Sequence, residues 1–307
     1  MEMRKALDGR AAGLMVVLCL VWGLQQVAIK AAAPDIAPLL QIALRSGVAA
    51  ALVGLLMLVR RERLSLAGTW RPGLLVGFLF ALEYLLVGEG LRYTSASHMV
   101  VFLYTAPIFA ALGLQWRLPS ERLVPLQWMG ILLAFAGIAL AFFGGDHGGG
   151  FSGDVFFGDL LGLLGGVAWG ATTVVIRCSR LAGTPAALTL FYQLAAAFLL
   201  LTPAAVALGQ WGFDPTPLAW SSLAFQAVVV SFVSFLAWFW LLRHYLASRL
   251  GVFSFLTPLF GVVLGAWLLD EAIERGFLMG AVFVLLGILL VSGHGWLKAL
   301  LRGRRAA

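Results

Sequence analysis

Ten times along its 307 residues the chain runs for about 20 residues with apolar side chains and almost no charge. The runs cover roughly 11–31, 38–59, 72–91, 97–116, 124–143, 158–177, 186–207, 217–242, 249–269 and 277–297. At a rise of about 1.5 Å per residue, each is as long as the hydrocarbon core of a bilayer is thick. In hydrocarbon a backbone polar group finds its partner inside its own segment, so the runs predict helices. Hydrophobic residues make up 62% of the chain and charged ones 11%, more apolar surface than a water-soluble core of this length hides. Little chain remains between the runs, which excludes a soluble catalytic or nucleic-acid-binding domain.

The runs are duplicated. ALEYLLVGEGLRYTSASHMVVFLYTAP, from Ala81 to Pro107, returns in layout as FVSFLAWFWLLRHYLASRLGVFSFLTP, from Phe232 to Pro258. Arg92 aligns with Arg243, Ala96-Ser97 with Ala247-Ser248, Phe102 with Phe253, and Pro107 with Pro258. VWGLQQVAIK, from Val21 to Lys30, returns as AWGATTVVIR, from Ala168 to Arg177. Pro38 then matches Pro185, and Gly130 and Gly137 match Gly280 and Gly287. Each copy holds five runs, and an odd number places the copies in opposite orientations across a membrane. The fold class predicted is an all-α membrane protein: ten transmembrane helices as two inverted five-helix repeats around a central cavity. The first repeat takes residues 1–143 and the second 158–307. Between them, 144–157 (GGDHGGGFSGDVFF) reads as a Gly-rich external linker.

Charge orients this scheme. The net charge is +7. With the N-terminus inside, Arg4, Lys5, Arg10, Arg60, Arg61, Arg63, Arg71, Arg117, Arg122, Arg177, Arg180, Arg243, Arg249 and the basic tail are cytoplasmic. Only Lys30, Arg92 and Arg275 fall outside. Lys and Arg concentrate on the cytoplasmic side, so both termini are expected there. The positive charge is then an orientation signal and a contact for anionic lipid, and no nucleic-acid partner is implied. The first run is too long for a signal peptide and lacks a clean cleavage pattern. Cys19 and Cys178 lie in or at the end of runs and imply neither disulfide nor metal. GFSG, from Gly150 to Gly153, superficially resembles the serine motif of intramembrane proteases. Its serine falls in the linker with no histidine run beside it, and no nucleophile–base set or metal cluster appears elsewhere. No enzyme activity and no cofactor are expected.

Helical spacing gathers the polar and aromatic residues into faces. Trp22, Gln25, Gln26 and Ile29 share one face of the first run, and Trp169, Thr172, Thr173 and Ile176 the matching face of the sixth. Ser231, Ser234, Phe235 and Trp238 share a face of the eighth run, where the third has Phe80, Glu83, Tyr84 and Val87. Mid-span tryptophans read either as core packing or as a cavity wall. The adjacent glutamines favour the wall, because amides in lipid are costly without partners. Glu83 is the sharpest residue, an ionisable group deep in a span. Arg45, in the second run, is its candidate charge partner, each lying about 10–12 Å below the same end of its helix. The two read as a structural ion pair or as a substrate or proton site. Tyr192 and Ser234 at the matching places of the second repeat favour the latter. Glu89 and His98, near a span end, are expected to be solvated. Gly162, Gly166 and Gly170, and Gly261 and Gly265, form small-residue stripes, for packing within the chain or for a dimer seam. Pro107 and Pro258 should kink their helices.

The VWG and AWG of the first and sixth runs, LRYTSAS with the following TAP, and LTPLFGVVLG followed by DE and a Gly-rich last run resemble the EamA-type transporters of the drug/metabolite transporter superfamily. Within it, the aromatic and polar faces are most similar to those of the bacterial amino-acid exporters of the YddG type. The resemblance covers nearly the whole chain. It implies a basket in which helices one, three, four, six, eight and nine surround the cavity, with five and ten at the periphery. It also implies an exporter in the bacterial inner membrane, working by alternating access, as monomer or homodimer. The expected cargo is amino acids, neutral and aromatic ones included, and related small metabolites. The expected cavity residues are Trp22, Gln25, Gln26, Glu83, Tyr84, Phe102, Trp169, Thr172, Thr173, Ser234, Phe235 and Trp238. A sugar-phosphate, nucleotide-sugar or drug carrier of the same superfamily is the alternative, and a channel a further one. A phosphate carrier calls for mid-depth Lys or Arg on the cavity helices. Here only Arg45 lies at mid-depth, with an acid beside it.

Overall fold

The computed structural model describes residues 9–61, 68–117, 122–143, 153–245, 253–254 and 256–303. Among these the chain is helical and has no strand; Ile36 and Phe213 form an isolated bridge. The helices are α1 (Gly9–Ala31), α2 (Pro38–Val59), α3 (Trp70–Gly90), α4 (Ala96–Leu103), α5 (Ala106–Arg117) and α6 (Pro125–Phe143). They continue as α7 (Gly153–Arg177), α8 (Ala186–Ala207) and α9 (Pro217–Ala224). A π-helical segment, Phe225–Ser234, then leads into α10 (Phe235–His244), α11 (Leu256–Leu268) and α12 (Arg275–Gly303). Pro38 and Pro217 open α2 and α9, where a missing N–H costs nothing. Ser95 and Thr216 cap α4 and α9 by accepting from the N–H groups of His98 and Ala219, both at 3.1 Å.

Seven helical stretches are long and apolar enough to cross a membrane, Ala96–Arg117 and Pro217–Trp238 counting as one each. The apolar stretches Pro125–Ala141 of α6, Leu256–Leu268 of α11 and Arg275–Val291 of α12 are of 10–17 residues. Seven of the ten apolar runs are thus full-length spans among the described residues, and the other three fall in α6, α11 and α12. Successive runs alternate between two ends of the bundle, the Lys30 end and the Arg60 end. Leu58, Leu132, Val263 and Trp267 stand exposed along the flanks, the apolar exterior that hydrocarbon covers.

Three runs differ from a plain helix. The run 97–116 breaks into α4 and α5 at Tyr104 and Thr105. Pro107 has no N–H, and its ring excludes the carbonyl four residues back, that of Leu103. The Thr105 hydroxyl turns onto the Phe102 carbonyl at 2.6 Å. Gly166 of α7 faces this break, where a Cβ would come within 2.7 Å of Thr105 Oγ1 and 3.0 Å of the Leu103 carbonyl. The stripe of Gly162, Gly166 and Gly170 is thus spent on packing within the chain, against α4 and α5. The run 217–242 carries the π-helical segment in its middle. The run 158–177 begins earlier, at Gly153, so Gly153–Phe157 of the expected linker is the first turn of α7, while 144–152, Ser152 included, lies outside the described residues. Pro258 stands third in α11, and residue 255, Ala247, Ser248 and Arg249 lie outside the described residues.

The helix pairings follow the sequence duplication. α1 packs on α11 as α7 packs on α4 and α5. α1 meets the π segment as α7 meets α3. α2 lies against α8, α4 against α11, and α6 against α12. In the last pair these glycines meet crosswise, each facing the other's match: a Cβ on Gly130 would come within 2.8 Å of the Gly287 carbonyl, and one on Gly137 within 2.6 Å of the Gly280 carbonyl. The main core runs through α2, α3, α4 and α8, with Ile42, Val53, Val87 and Leu194 in it. A smaller one joins α1, α10 and α11 around Met15, Leu18, Cys19 and Leu241.

Candidate substrate site

An indole N–H has no water to turn to in a membrane-spanning helix. Trp22, midway along α1, donates from Nε1 to Ser234 Oγ at 2.9 Å. Ser234, the last residue of the π segment, passes its own proton to the Val230 carbonyl at 2.5 Å. The Trp22 ring meets the Trp238 ring edge-on, with centroids 5.7 Å apart and planes at 79°. Three of the expected cavity residues are thereby joined. All three belong to the interface between α1 and the helix of the eighth run.

The next group lies one helix away. Gln25 and Gln26 are buried on α1, and Glu83 and Tyr84 on α3. Gln25 lies beside the Tyr84 hydroxyl. The Arg45 guanidinium sits over the Tyr84 ring, 4.5 Å from its centroid. Arg45 and Glu83 form no ion pair. Nη1 of Arg45 faces Oε1 of Gln226 instead, at a long 3.5 Å. Gln226 is held from behind, its Nε2 donating to Gln41 Oε1 and to Ser222 Oγ, each at 2.8 Å. Gln41 is pinned in turn by donating to the carbonyls of Ile36 at 2.8 Å and Ile29 at 3.1 Å. With its guanidinium turned to Gln226 and the tyrosine face, Arg45 leaves Glu83 Oε2 without a hydrogen-bond partner. Gln26 Oε1, Arg45 Nε, Thr257 Oγ1 and the Tyr192 hydroxyl share that condition. Buried polar atoms are ordinarily paired, so these atoms hold unspent hydrogen-bonding capacity.

Tyr104, at the α4–α5 break, is near Glu83 and Tyr84 on one side and stands edge-on to Trp169 of α7 on the other, at 5.1 Å and 86°. The other candidates of the seventh helix are committed elsewhere. The Thr172 and Thr173 hydroxyls donate to carbonyls four residues back on their own helix, at 3.0 and 3.2 Å. Phe102 is fully buried against α7, and Phe235 packs on the main core. Trp169 packs on the main core and Trp22 on the smaller one, so the two aligned tryptophans do not touch a common group of residues.

The sequence reading missed Gln41, Ser222, Gln226 and Thr257. Each is a polar residue in an apolar run, which is the signal that singled out Glu83, and Ser222 and Gln226 lie four residues apart on one helical face.

At the Lys30 end the helices are tied together above this region. Lys30 Nζ donates to the carbonyls of Leu91 and Thr94, at 2.5 and 2.8 Å. Glu271, in the α11–α12 connection, accepts from the N–H groups of Ala96 and Ser97, at 2.7 and 3.0 Å, and from the Ser97 hydroxyl at 2.5 Å. A carboxylate there satisfies the orphan donors at the start of α4 and favours its dipole. His98 is largely buried. It pairs with Asp159 of α7 at 2.8 Å, with only 12% of its side chain exposed, and stacks on Phe277 of α12 at 3.8 Å. Glu89 binds the exposed Arg92 at 2.9 Å and accepts from Gln210. Beside Lys30, a cleft of about 770 Å³ opens between the α1–α2, α3–α4 and α8–α9 connections.

The chain was compared with known proteins. The model of the EamA-like transporter family matches it twice, over residues 9–143 and 156–293. It is 24% identical to the uncharacterized transporter YoaV of Bacillus subtilis (strain 168), over 90% of this chain and 94% of that one. It is 27% identical to the uncharacterized transporter YvbV of the same organism, over 92% of each. It is 24% identical to the uncharacterized inner membrane transporter YedA of Escherichia coli (strain K12), over 91% and 90%. A solved crystal structure with 21% sequence identity shares the fold, with a TM-score of 0.65 over 92% of this chain and 95% of that one. The twofold family match spans both halves of the duplication, and this chain belongs to the EamA-like transporter family, as a multi-pass membrane transporter of the drug/metabolite superfamily.

Proposed function

We propose that this transporter exports neutral amino acids, aromatic ones included, and related small metabolites across the bacterial inner membrane. It does so by alternating access between two inverted five-helix repeats, residues 1–143 and 158–307, with both termini cytoplasmic. The matched helix pairings and the opposed glycines of α6 and α12 support the inverted repeat. The concentration of Arg and Lys at the Arg60 end supports the orientation.

The observation that carries the substrate reading is the pair of buried, unpartnered polar atoms on Gln26, one helix turn from Trp22, and on Glu83, with Gln25 beside the Tyr84 hydroxyl. A zwitterion with an apolar side chain needs that combination. The Glu83 carboxylate meets the ammonium, an amide of Gln25 or Gln26 meets the carboxylate, and the aromatic rings take the side chain. The test is efflux. Cells expressing the protein and fed a phenylalanine-containing dipeptide should release phenylalanine faster than cells expressing Glu83→Gln. Equal release from both, at equal membrane abundance, overturns the reading.

A further inference from the structure

The polar network behind Arg45 has no role in the proposal above. Gln41 on α2, Ser222 on α9 and Gln226 in the π segment are all buried, and they bond to one another and to the carbonyls of Ala28, Ile29 and Ile36. Their side-chain contact outside the group is with Arg45, whose Nη1 faces Gln226 Oε1. Arg45 is 2% exposed, yet it takes no carboxylate: Glu83 is not paired with it, its flat face lies on Tyr84, and its Nε is unpartnered. A guanidinium presents donors in a rigid fork that fits an oxyanion edge-on. Here one corner of that fork is held by a neutral amide, the face is covered by an aromatic ring, and the buried Nε has no hydrogen-bond partner. A carboxylate in the place of Gln226 would have quenched the cation. An amide orients it and leaves its charge unspent.

We propose that Arg45 is the anchor for the oxyanion of the transported molecule, and that Gln226 is its positioning residue. The inference rests on the proposed function in taking this polar region as the substrate site, and it adds Arg45 to the Gln25 or Gln26 amide as the charged partner of an amino acid's carboxylate while Glu83 keeps the ammonium. The chemistry is that of a carboxylate or a phosphate equally.

The test is binding to the purified protein in detergent, by calorimetry, with three probes: phenylalanine, phenylalaninamide (the same molecule without the anionic charge) and glucose 6-phosphate. Wild type should bind phenylalanine at least about tenfold more tightly than phenylalaninamide, the worth of one charge-assisted hydrogen bond. Gln226→Leu should bring that ratio close to one, by weakening phenylalanine and leaving phenylalaninamide unchanged. Gln226→Glu keeps the shape and an oxygen facing Arg45, so a merely structural role would be restored by it. The inference predicts the opposite, loss of the ratio, because its own carboxylate occupies the guanidinium. It also serves should Gln226→Leu fail to fold. If glucose 6-phosphate binds and phenylalanine does not, the amino-acid reading falls, and the anchor stands provided both variants weaken glucose 6-phosphate about tenfold. Equal binding of phenylalanine and its amide by wild type, equal weakening of both by the variants, or binding of neither anionic probe overturns the anchor.

Discussion

Glu83 and Gln26 each hold a side-chain oxygen without a partner inside apolar helices. An architectural carboxylate would be expected to pair with the nearest cation, and Arg45 lies against the residue next to it. Glu83→Gln keeps shape and hydrogen bonding but removes the charge. It should lower phenylalanine transport at least about tenfold while the melting temperature stays within a few degrees of wild type. A lowered melting temperature with full transport would make Glu83 part of the frame. Trp22→Phe keeps the ring contact with Trp238 but strands Ser234. It should cost about 1 kcal/mol of stability in thermal unfolding, and Ser234→Ala should cost about the same. Adding the two changes together should cost no more than either, and full additivity would deny the hydrogen bond. These residues were legible because a polar or aromatic side chain in the middle of an apolar run is conspicuous. What was not legible is where each side chain turns. Thr172 and Thr173 lie on the face that spacing predicts, yet their hydroxyls return to their own backbone, a choice that depends on rotamer and not on position. His98 was misread because distance from a helix end says nothing about which neighbours close over it.

Among the elements, α4 is only eight residues long and ends at a proline-induced break, so its start matters. Glu271 supplies it, by accepting from two backbone N–H groups of α4 across 174 and 175 residues of sequence. Glu271→Ala should destabilise the protein by about 1–2 kcal/mol, and Glu271→Gln by less, read as melting temperature in detergent. If both are neutral, the cap does not hold α4. The pairing of α6 with α12 makes a sharper case. Gly137→Leu has no room against the Gly280 carbonyl and should cost about 1–3 kcal/mol, as should Gly280→Leu. The matching glycines were visible in the sequence as an alignment of one half with the other. That they face one another follows only from the assembled fold. The break at Thr105 was signalled by Pro107. The π segment was signalled by nothing, since no residue type marks an inserted turn, and it was read as part of one continuous helix.

For the molecule as a whole, ten runs, their duplication and the separation of charge were readable from composition and period, because a bilayer forces them. The arrangement proposed to hold the substrate was not, because it rests on contacts between helices far apart in sequence, such as Arg45 with Gln226. The orientation is open to a direct check. Cys178 is exposed at the Arg60 end and should react with an impermeant maleimide only after the membrane is opened, while Gly212→Cys, between α8 and α9, should react in intact spheroplasts. Reversed accessibility would invert the topology. The central claim is that a zwitterion crosses through the region of Glu83, Gln26 and Arg45, and counterflow measures it most directly. Purified protein in liposomes loaded with unlabelled phenylalanine should draw external labelled phenylalanine above its equilibrium level. Liposomes with Glu83→Gln should show at most about a tenth of that overshoot. No overshoot by the wild type, or the same overshoot by wild type and variant, would contradict the account.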